Sequence, residues 1–266
     1  MCSSVLREKQ FVLNHTLIMQ TIPKTSIAFN SLLRADLITQ WRNRRSFVLL
    51  LLVPIIILIS WKGIVEKMGG PFALSTCITI GLVAIGLMGY SSSIARDRDK
   101  GIFQRLRVAP MPTWCIMVSR LLIQLMMIVL LVTVIFIAGN NIDHIRLSPA
   151  GYIVSFLAAV VGGAVYLGLG QLIVGLIQNP ETVNSTSRLT YFLFIMIGMF
   201  GELGVLGDQL KEIVLWSPYG TVKRIIAAGM QPGTWDEQAT TALLLTIAYA
   251  VAFSFIGIRK FKWNNK

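Results

Sequence analysis

The chain has 266 residues, of which 55% are hydrophobic and 14% charged, and its 24 lysines and arginines against 12 acidic residues give a net charge of +12. A soluble domain carries about 25% charged residues, and apolar runs of about 18 residues or more recur here, so the composition excludes an ordinary soluble protein and indicates a polytopic membrane protein. The positive charge does not predict nucleic-acid binding, because the basic residues cluster beside the apolar runs, where membrane topology explains them. Two of the three cysteines lie in or beside apolar runs, and no disulfide framework is predicted.

Residues 1–26 form an N-terminal tail for which no structure is predicted, and disorder is one interpretation of it. A stripe of apolar residues follows at a spacing of four, from Phe29 through Leu33 and Leu37 to Trp41, with arginines around it. This pattern predicts an amphipathic helix over about residues 27–45 that lies at the membrane interface. A disordered basic segment is the alternative.

Six apolar segments are each near the length of about 20 residues that crosses a bilayer as a helix. They are residues 47–65, 72–95, 115–138, 152–177, 189–206 and 239–258. Pro54 lies within the first segment and should kink it. Small residues in the fourth, Gly163 and Gly168 among them, fit close helix packing either within the chain or between two copies. The predicted fold class is an all-α membrane protein with six transmembrane helices over residues 27–262.

The distribution of lysine and arginine predicts the orientation of these spans. If both termini lie on one side, that side holds 18 of the 24 basic residues. The positive-inside rule then places both termini and the loop between spans two and three in the cytoplasm. The predicted localisation is therefore the cell (inner or plasma) membrane, with several passes.

The loop between spans two and three is the most heavily charged part of the chain, with seven charges in the fifteen residues from Arg96 to Pro110. Its apolar residues recur at spacings of three and four and so share one face of a predicted short helix, which Gly101 precedes and Pro110 ends. They are Ile102, Phe103, Leu106 and Ala109. A helix that is apolar on one side and charged on the other fits docking to a soluble partner. A solvated loop is the alternative.

The segment between spans five and six, residues 207–238, is the longest predicted external segment. Apolar and polar residues are mixed on both sides of Ser217 and Pro218. This pattern predicts two short extracellular helices that partly re-enter the outer leaflet, and a plain extracellular loop is the alternative.

Groups for catalysis or cofactor binding are missing from the sequence. His15 and His144 fall on opposite sides of the predicted membrane, no Cys/His pair has metal-ligand spacing, and no glycine-rich loop ends in Gly-Lys-Ser/Thr. Glu202 is the one acidic residue within a predicted span, and it lies close to the outer end, where an interfacial acid is the simpler interpretation. The chain is therefore predicted to be no enzyme, to bind no cofactor or metal, and to lack groups for ion coupling.

The charged loop resembles the cytoplasmic loop of permease subunits of type-2 ATP-binding cassette (ABC) transporters. The resemblance rests on Arg96-Asp97-Arg98-Asp99-Lys100-Gly101, followed by Leu106 and Pro110. The amphipathic N-terminal helix, Pro54, the six spans and the segment Leu215-Trp216-Ser217-Pro218-Tyr219 extend it over residues from about 27 to 262. Ile102 and Gln104 depart from the threonine and glutamate that are common in the family.

The resemblance implies a non-catalytic permease that pairs with a second copy, forms the pathway between the two protomers, and is driven by a separate ATPase that holds ATP and Mg²⁺. The loop helix, called a coupling helix in the family, would contact the ATPase. The residues implied for this contact are Asp97, Asp99, Gly101, Ile102, Phe103, Leu106 and Arg107. Spans two and five line the pathway in the family. The candidates for this role are Thr76, Thr79, Tyr191, Phe194 and Met199, with packing against neighbouring helices or lipid as the alternative for each.

The implied activity is export of a drug, an antibiotic peptide or another amphiphile, although the sequence does not identify the substrate. A self-contained secondary transporter or channel is the alternative function. An intramembrane enzyme is a third class, disfavoured because paired catalytic groups are missing. A neighbouring gene for an ATP-binding protein would favour the ABC interpretation.

Overall fold

The computed structural model describes residues 25–42, 44–102, 113–202, 204 and 207–261. Within these residues the chain forms helices and connecting segments and contains no strand, which confirms the predicted all-α class for this part of the chain. The helices are α1 (Thr25–Arg42), α2 (Arg44–Ser60), α3 (Lys62–Met68), α4 (Gly70–Asp99), α5 (Thr113–Ile142), α6 (Pro149–Leu176), α7 (Pro180–Glu202), α8 (Asp208–Trp216), α9 (Pro218–Met230) and α10 (Glu237–Lys260). A 3₁₀ turn, Pro232–Thr234, lies between α9 and α10.

Four of the described helices are long and apolar enough to cross a membrane. They are α4, α6, α10 and the part of α5 from Val118 to Ile142, and they match predicted spans two, three, four and six. The first predicted span is interrupted, because α2 ends at Ser60 and α3 begins at Lys62. Helix α7, at the predicted fifth span, has polar first turns and falls outside this set. The count of six spans therefore stays a prediction.

Helix α1 occupies most of the segment predicted to be amphipathic and packs against α5. Phe29, Leu33 and Leu37 of the predicted stripe are half-buried, whereas Trp41 is exposed. The tail predicted over residues 1–26 falls almost entirely outside the described residues.

Helices α6, α7 and α9 each begin at a proline that follows a serine or asparagine. Proline suits the first helical position, and the preceding side chain can accept a hydrogen bond from an N–H group of the first turn. The Ser148 hydroxyl accepts from the Gly151 N–H at 3.0 Å in α6, and the Ser217 hydroxyl accepts from the Gly220 N–H at 3.3 Å in α9. These local signals define where α6 and α9 begin. The segment predicted to hold two short helices thus contains α8 and α9.

Helix α6 is the centre of the bundle and packs against α4, α9 and α10. Its glycines allow this close approach, since a Cβ atom at Gly170 would lie 2.4 Å from the carbonyl oxygen of Gly86 in α4. Gly163 and Gly168, whose partner the sequence left open, face side chains of α5 and α10 in the same chain. These two glycines therefore allow close packing of helices within the chain.

Helix α4 contains a π-helical segment, Ile85–Ser91, that the sequence did not predict. The extra residue in each π turn changes which side chains face the neighbouring helices. The Tyr90 hydroxyl donates to Gln171 Oε1 in α6 at 2.8 Å. The hydroxyls of Ser91 and Ser187 in α7 lie 2.8 Å apart. Polar bonds therefore join the middle of α4 to both α6 and α7.

Candidate functional site

The charged segment that dominates the sequence lies at one end of α4. The last turns of this helix are Ser92–Asp99, and Gly101 follows with φ +66°, a left-handed conformation that glycine adopts without steric cost. The described chain then stops at Ile102 and resumes at Thr113. Three of the residues implied to contact an ATPase, Phe103, Leu106 and Arg107, lie outside the described residues. The site can therefore be built from Asp97 to Ile102 and the helices around them.

Arg98 is turned into the protein and is only 3% exposed. Its guanidinium donates to the carbonyls of Val174, Ile177 and Gln178 at 2.9, 2.7 and 2.8 Å. The last carbonyls of a helix have no partner within it, and Arg98 supplies partners at the end of α6. The guanidinium also lies 5.8 Å from the centre of the Phe261 ring, just after α10. The end of α4 is thereby fastened to the ends of α6 and α10.

Asp97, the residue before Arg98, belongs to a second buried group of charges. Arg120 of α5 lies 2.6 Å from Asp97 and 3.2 Å from Asp36 of α1. The Ser119 hydroxyl donates to the other oxygen of Asp36 at 2.6 Å. All three charged side chains are at most 15% exposed, so these ion pairs are poorly screened by water. This cluster joins α4 to α1 and α5.

The charged segment therefore has an inner and an outer side. Asp97 and Arg98 face other helices, while Arg96, Asp99 and Lys100 are exposed. Gly101 and Ile102 are half-buried. Among the described residues implied for an ATPase contact, Asp99 is the acidic group that is open to a partner, and Asp97 is already paired within the chain.

Sequence reasoning missed the role of Asp36 and Arg120. Each carried a signal, because Asp36 is the sole acidic residue between Lys9 and Val65, and Arg120 is the sole charged residue between Val108 and Ile142. An isolated charge in an apolar or basic segment needs a partner when it is buried, and these two residues are partners for each other. Pairing them would have predicted that α1 packs on α5.

The five candidate pathway residues fall into two groups. Thr76 and Thr79 are at most 1% exposed, and each hydroxyl donates to a carbonyl of its own helix, at 2.8 and 2.7 Å. In this conformation both side chains are enclosed within the protein. Tyr191, Phe194 and Met199 of α7 are half-buried and pack on the core, with the Phe194 ring edge-on to a buried tyrosine of α6 at 6.0 Å.

A buried ion pair that the sequence did not predict lies at the opposite end of α4. Lys223 of α9 is 3% exposed, pairs with Glu202 of α7, and has its ammonium 3.3 Å from the centre of the Phe72 ring in α4. Burial lowers the pKa of Lys223 to about 8, although the Glu202 carboxylate acts in the opposite direction. Glu202 is therefore more than an interfacial acid, because it neutralises a lysine that the fold takes out of water.

Comparison with known proteins identifies the family. A family model described as ABC-2 type transporter matches residues 27–221, from α1 into α9. The chain belongs to the ABC-2 type transporter family. The protein named "Putative transport permease YvfS" of Bacillus subtilis (strain 168) is 28% identical over 187 residues, which are 69% of this chain and 74% of that relative. The resemblance first detected in the charged loop is thereby confirmed.

The long apolar helices and the buried charge clusters both agree with membership of this family. An ABC-2 type transporter is a multi-pass membrane transport permease, and the four long apolar helices of the described chain agree with this class. The matched region includes both buried clusters at the charged end, the one around Arg98 and the one around Arg120. Both clusters lie at the end of α4 from which the chain continues towards α5.

Proposed function

We propose that this ABC-2 permease forms the membrane pathway of an ABC exporter and is driven by a separate ATPase subunit that docks on the loop after α4. The observation that carries the proposal is the double attachment of the end of α4, through Arg98 to α6 and through Asp97 to Arg120 and α1. A loop that only connected two spans would not need buried, paired charges at its base. A loop that receives force from a partner must be attached to a helix end that cannot move independently of its neighbouring helices.

The attachment explains how force would reach the membrane helices. Breaking a buried ion pair by removing one partner costs about 3–5 kcal/mol, and a hydrogen bond to a charged group contributes about 1.5–3 kcal/mol. A displacement applied after Gly101 would therefore move α4 together with the ends of α1, α5 and α6. The chain itself would hold no nucleotide, and ATP and Mg²⁺ would bind to the ATPase.

The proposed docking surface combines residues inside and outside the described chain. Asp99, Gly101 and Ile102 would meet the ATPase directly, together with the apolar side chains of Phe103 and Leu106, which the sequence places on one helical face. Arg107 would orient the encounter. Asp97 would act from behind this surface, because its carboxylate already pairs with the arginine of α5.

We further propose that two copies form the pathway and that the substrate is a drug, an antibiotic peptide or another amphiphile. Supporting this, α7 carries a stripe of exposed apolar side chains beside the half-buried Tyr191, Phe194 and Met199. The stripe consists of Leu189, Phe192, Leu193, Ile197 and Phe200. A second copy would give this apolar surface an opposing wall. In this proposal the complex lies in the cell membrane with both termini in the cytoplasm.

The assembly can be tested with a tagged chain that is purified from the membranes of the cells that naturally produce it. We expect an ATP-binding protein to copurify and native mass spectrometry to show two permeases with two ATPases. In proteoliposomes, efflux of a fluorescent amphiphile should require ATP and should stop when the ATPase carries a substitution of its catalytic carboxylate. A chain that moves the dye alone, driven by an ion gradient, would establish the alternative of a secondary transporter or channel.

The docking surface can be tested with the double variant Phe103→Ala and Leu106→Ala. Burial of each side chain in a partner contributes roughly 1.5–3 kcal/mol, so the variant should lose most of the copurifying ATPase. Arg105→Gln provides a control in the same loop, because an exposed ion pair contributes only about 0–1 kcal/mol. Unchanged ATPase recovery and transport in the double variant would refute docking at this face.

A further inference from the structure

A groove lies between the end of α5 and the start of α6, at the end of the bundle opposite Arg98. It has a volume of about 390 Å³ and is lined by Phe136, Ile137, Asn140, Arg146, Leu147 and Tyr152. Neither the charged end of α4 nor the Lys223 pair contributes to it. The groove is therefore separate from the sites described above.

The lining changes from apolar to polar along the axis of α5. Phe136 and Ile137 are followed after one turn by Asn140, about 4.5 Å further along the helix at 1.5 Å per residue. Arg146, in the connection before α6, is exposed and lies beyond the end of α5. An amphiphile with its tail along α5 and its polar group towards the connection would match this order.

The inner wall of the groove is held in place by aromatic packing. The Phe136 ring is 6% exposed and lies edge-on to Tyr152 at 5.1 Å and to Phe156 at 5.6 Å. Ile137, in contrast, is 56% exposed and offers its side chain to the surroundings. The wall is thus formed before any ligand binds, which reduces the entropy cost of binding.

The mouth of the groove offers hydrogen-bond donors and a positive charge. Within the described residues, Arg146 has no acidic side chain at ion-pair distance, and the side chains of Asn140 and Tyr152 make no hydrogen bond. No carboxylate lines the groove, since the nearby Asp143 has one oxygen buried away from solvent and is not part of the lining. A guanidinium with free amide and hydroxyl groups is suited to a phosphate.

We propose that this groove binds an anionic phospholipid, with its phosphate at Arg146, Asn140 and Tyr152 and an acyl chain along Phe136 and Ile137. The gradient from apolar to polar requires a ligand with both parts. A free phosphate would leave the apolar wall uncovered. A zwitterionic lipid would bring an ammonium group to a mouth that has a cation and no carboxylate in its lining.

The test compares lipid retention by the purified chain and its variants. The chain is extracted in mild detergent, incubated with phosphatidylglycerol or phosphatidylcholine of equal chain length, and analysed by native mass spectrometry. We expect phosphatidylglycerol to be retained preferentially, and Arg146→Gln to reduce that retention about fivefold, since one charge-assisted contact is lost. Lys211→Gln, which removes an exposed charge on α8 outside the groove, should leave retention unchanged.

A second variant tests the apolar half of the site. Ile137→Asn should reduce retention of both lipids by a similar factor, because it changes the wall that contacts the acyl chain. Equal losses from Arg146→Gln and Lys211→Gln would overturn the proposal in favour of general surface charge. Equal retention of the two lipids by the unmodified chain, or displacement of phosphatidylglycerol by soluble glycerol phosphate, would also overturn it.

Discussion

Replacing Arg98 by lysine would test whether the end of α4 is fastened to α6 by the geometry of the guanidinium or merely by its charge. Arg98→Lys keeps the positive charge in the same position. A lysine ammonium is a compact donor, however, and cannot reproduce the planar fork that reaches three carbonyls. The variant would leave carbonyls at the end of α6 without partners, where the bond to Val174 is buried and the bonds to Ile177 and Gln178 are partly buried.

The expected loss of stability follows from the number of hydrogen bonds that the Arg98 guanidinium makes. Each hydrogen bond from a charged donor contributes about 1.5–3 kcal/mol, and the contributions are not fully additive. If lysine keeps one bond of the three, the free energy of unfolding should fall by about 3 kcal/mol. For a chain of this size a change of 1 kcal/mol shifts the melting temperature by about 2–4 °C, so the midpoint should fall by about 6–12 °C.

The assay is thermal unfolding of the purified chain in detergent, followed by intrinsic fluorescence. Arg96→Lys is the matched control, since Arg96 lies two residues away on the same helix and is exposed. Its midpoint should stay at that of the unmodified chain. If Arg98→Lys and Arg96→Lys unfold at the same temperature, the three bonds do not stabilise the protein and the reasoning is wrong.

Three further sets of substitutions test the packing on which the site depends. Asp36→Asn and Arg120→Met should each destabilise the chain by about 3–5 kcal/mol, and the double variant should cost less than their sum, as a double-mutant cycle of unfolding would measure. Gly170→Ala should destabilise by about 1–3 kcal/mol because its Cβ would meet a backbone oxygen at 2.4 Å, whereas Gly233→Ala, with open space around it, should have little effect on the melting temperature. Lys223→Met should lower the melting temperature by leaving the acidic partner on α7 unpaired, and a variant as stable as the unmodified chain would show that the pair is dispensable.

The class of the protein could be predicted from the sequence because it depends on sums over many residues. The hydropathy of a segment of about twenty mostly apolar residues changes little when one of them is polar. This is why four long helices coincide with predicted spans. The charged segment at Arg96 to Lys100 was identified in the same way, by its density of charge. Such sums do not depend on which side chain touches which.

The inner contacts of the site could not be predicted, because they depend on the direction of individual side chains. Asp97 and Arg98 are adjacent to the exposed residues Arg96 and Asp99. Each pair consists of one arginine and one aspartate, so composition cannot show which pair faces the protein interior. The burial of Lys223 depends on where α9 packs, and that position is set by contacts distant in the chain.

Helix α4 connects the buried ion pair of Lys223 at one end to the buried charges around Arg98 and Arg120 at the other, and this limits how the protein can move. Phe72 lies under Lys223 at one end and Arg98 binds the end of α6 at the other, roughly 40 Å apart at 1.5 Å per residue. Between them, Tyr90 and Ser91 bond to α6 and α7. A movement of α4 alone would break all of these contacts together.

A movement in which α4 travels as one body with α1, α5 and α6 would keep the bonds of Asp97, Arg98 and Tyr90, and it would break the bond between Ser91 and Ser187 of α7. Each broken buried contact costs free energy, so the joint movement requires less free energy than a movement of α4 alone. The contact between Ser91 and Ser187 of α7 is then the place where the moving helices would separate from α7.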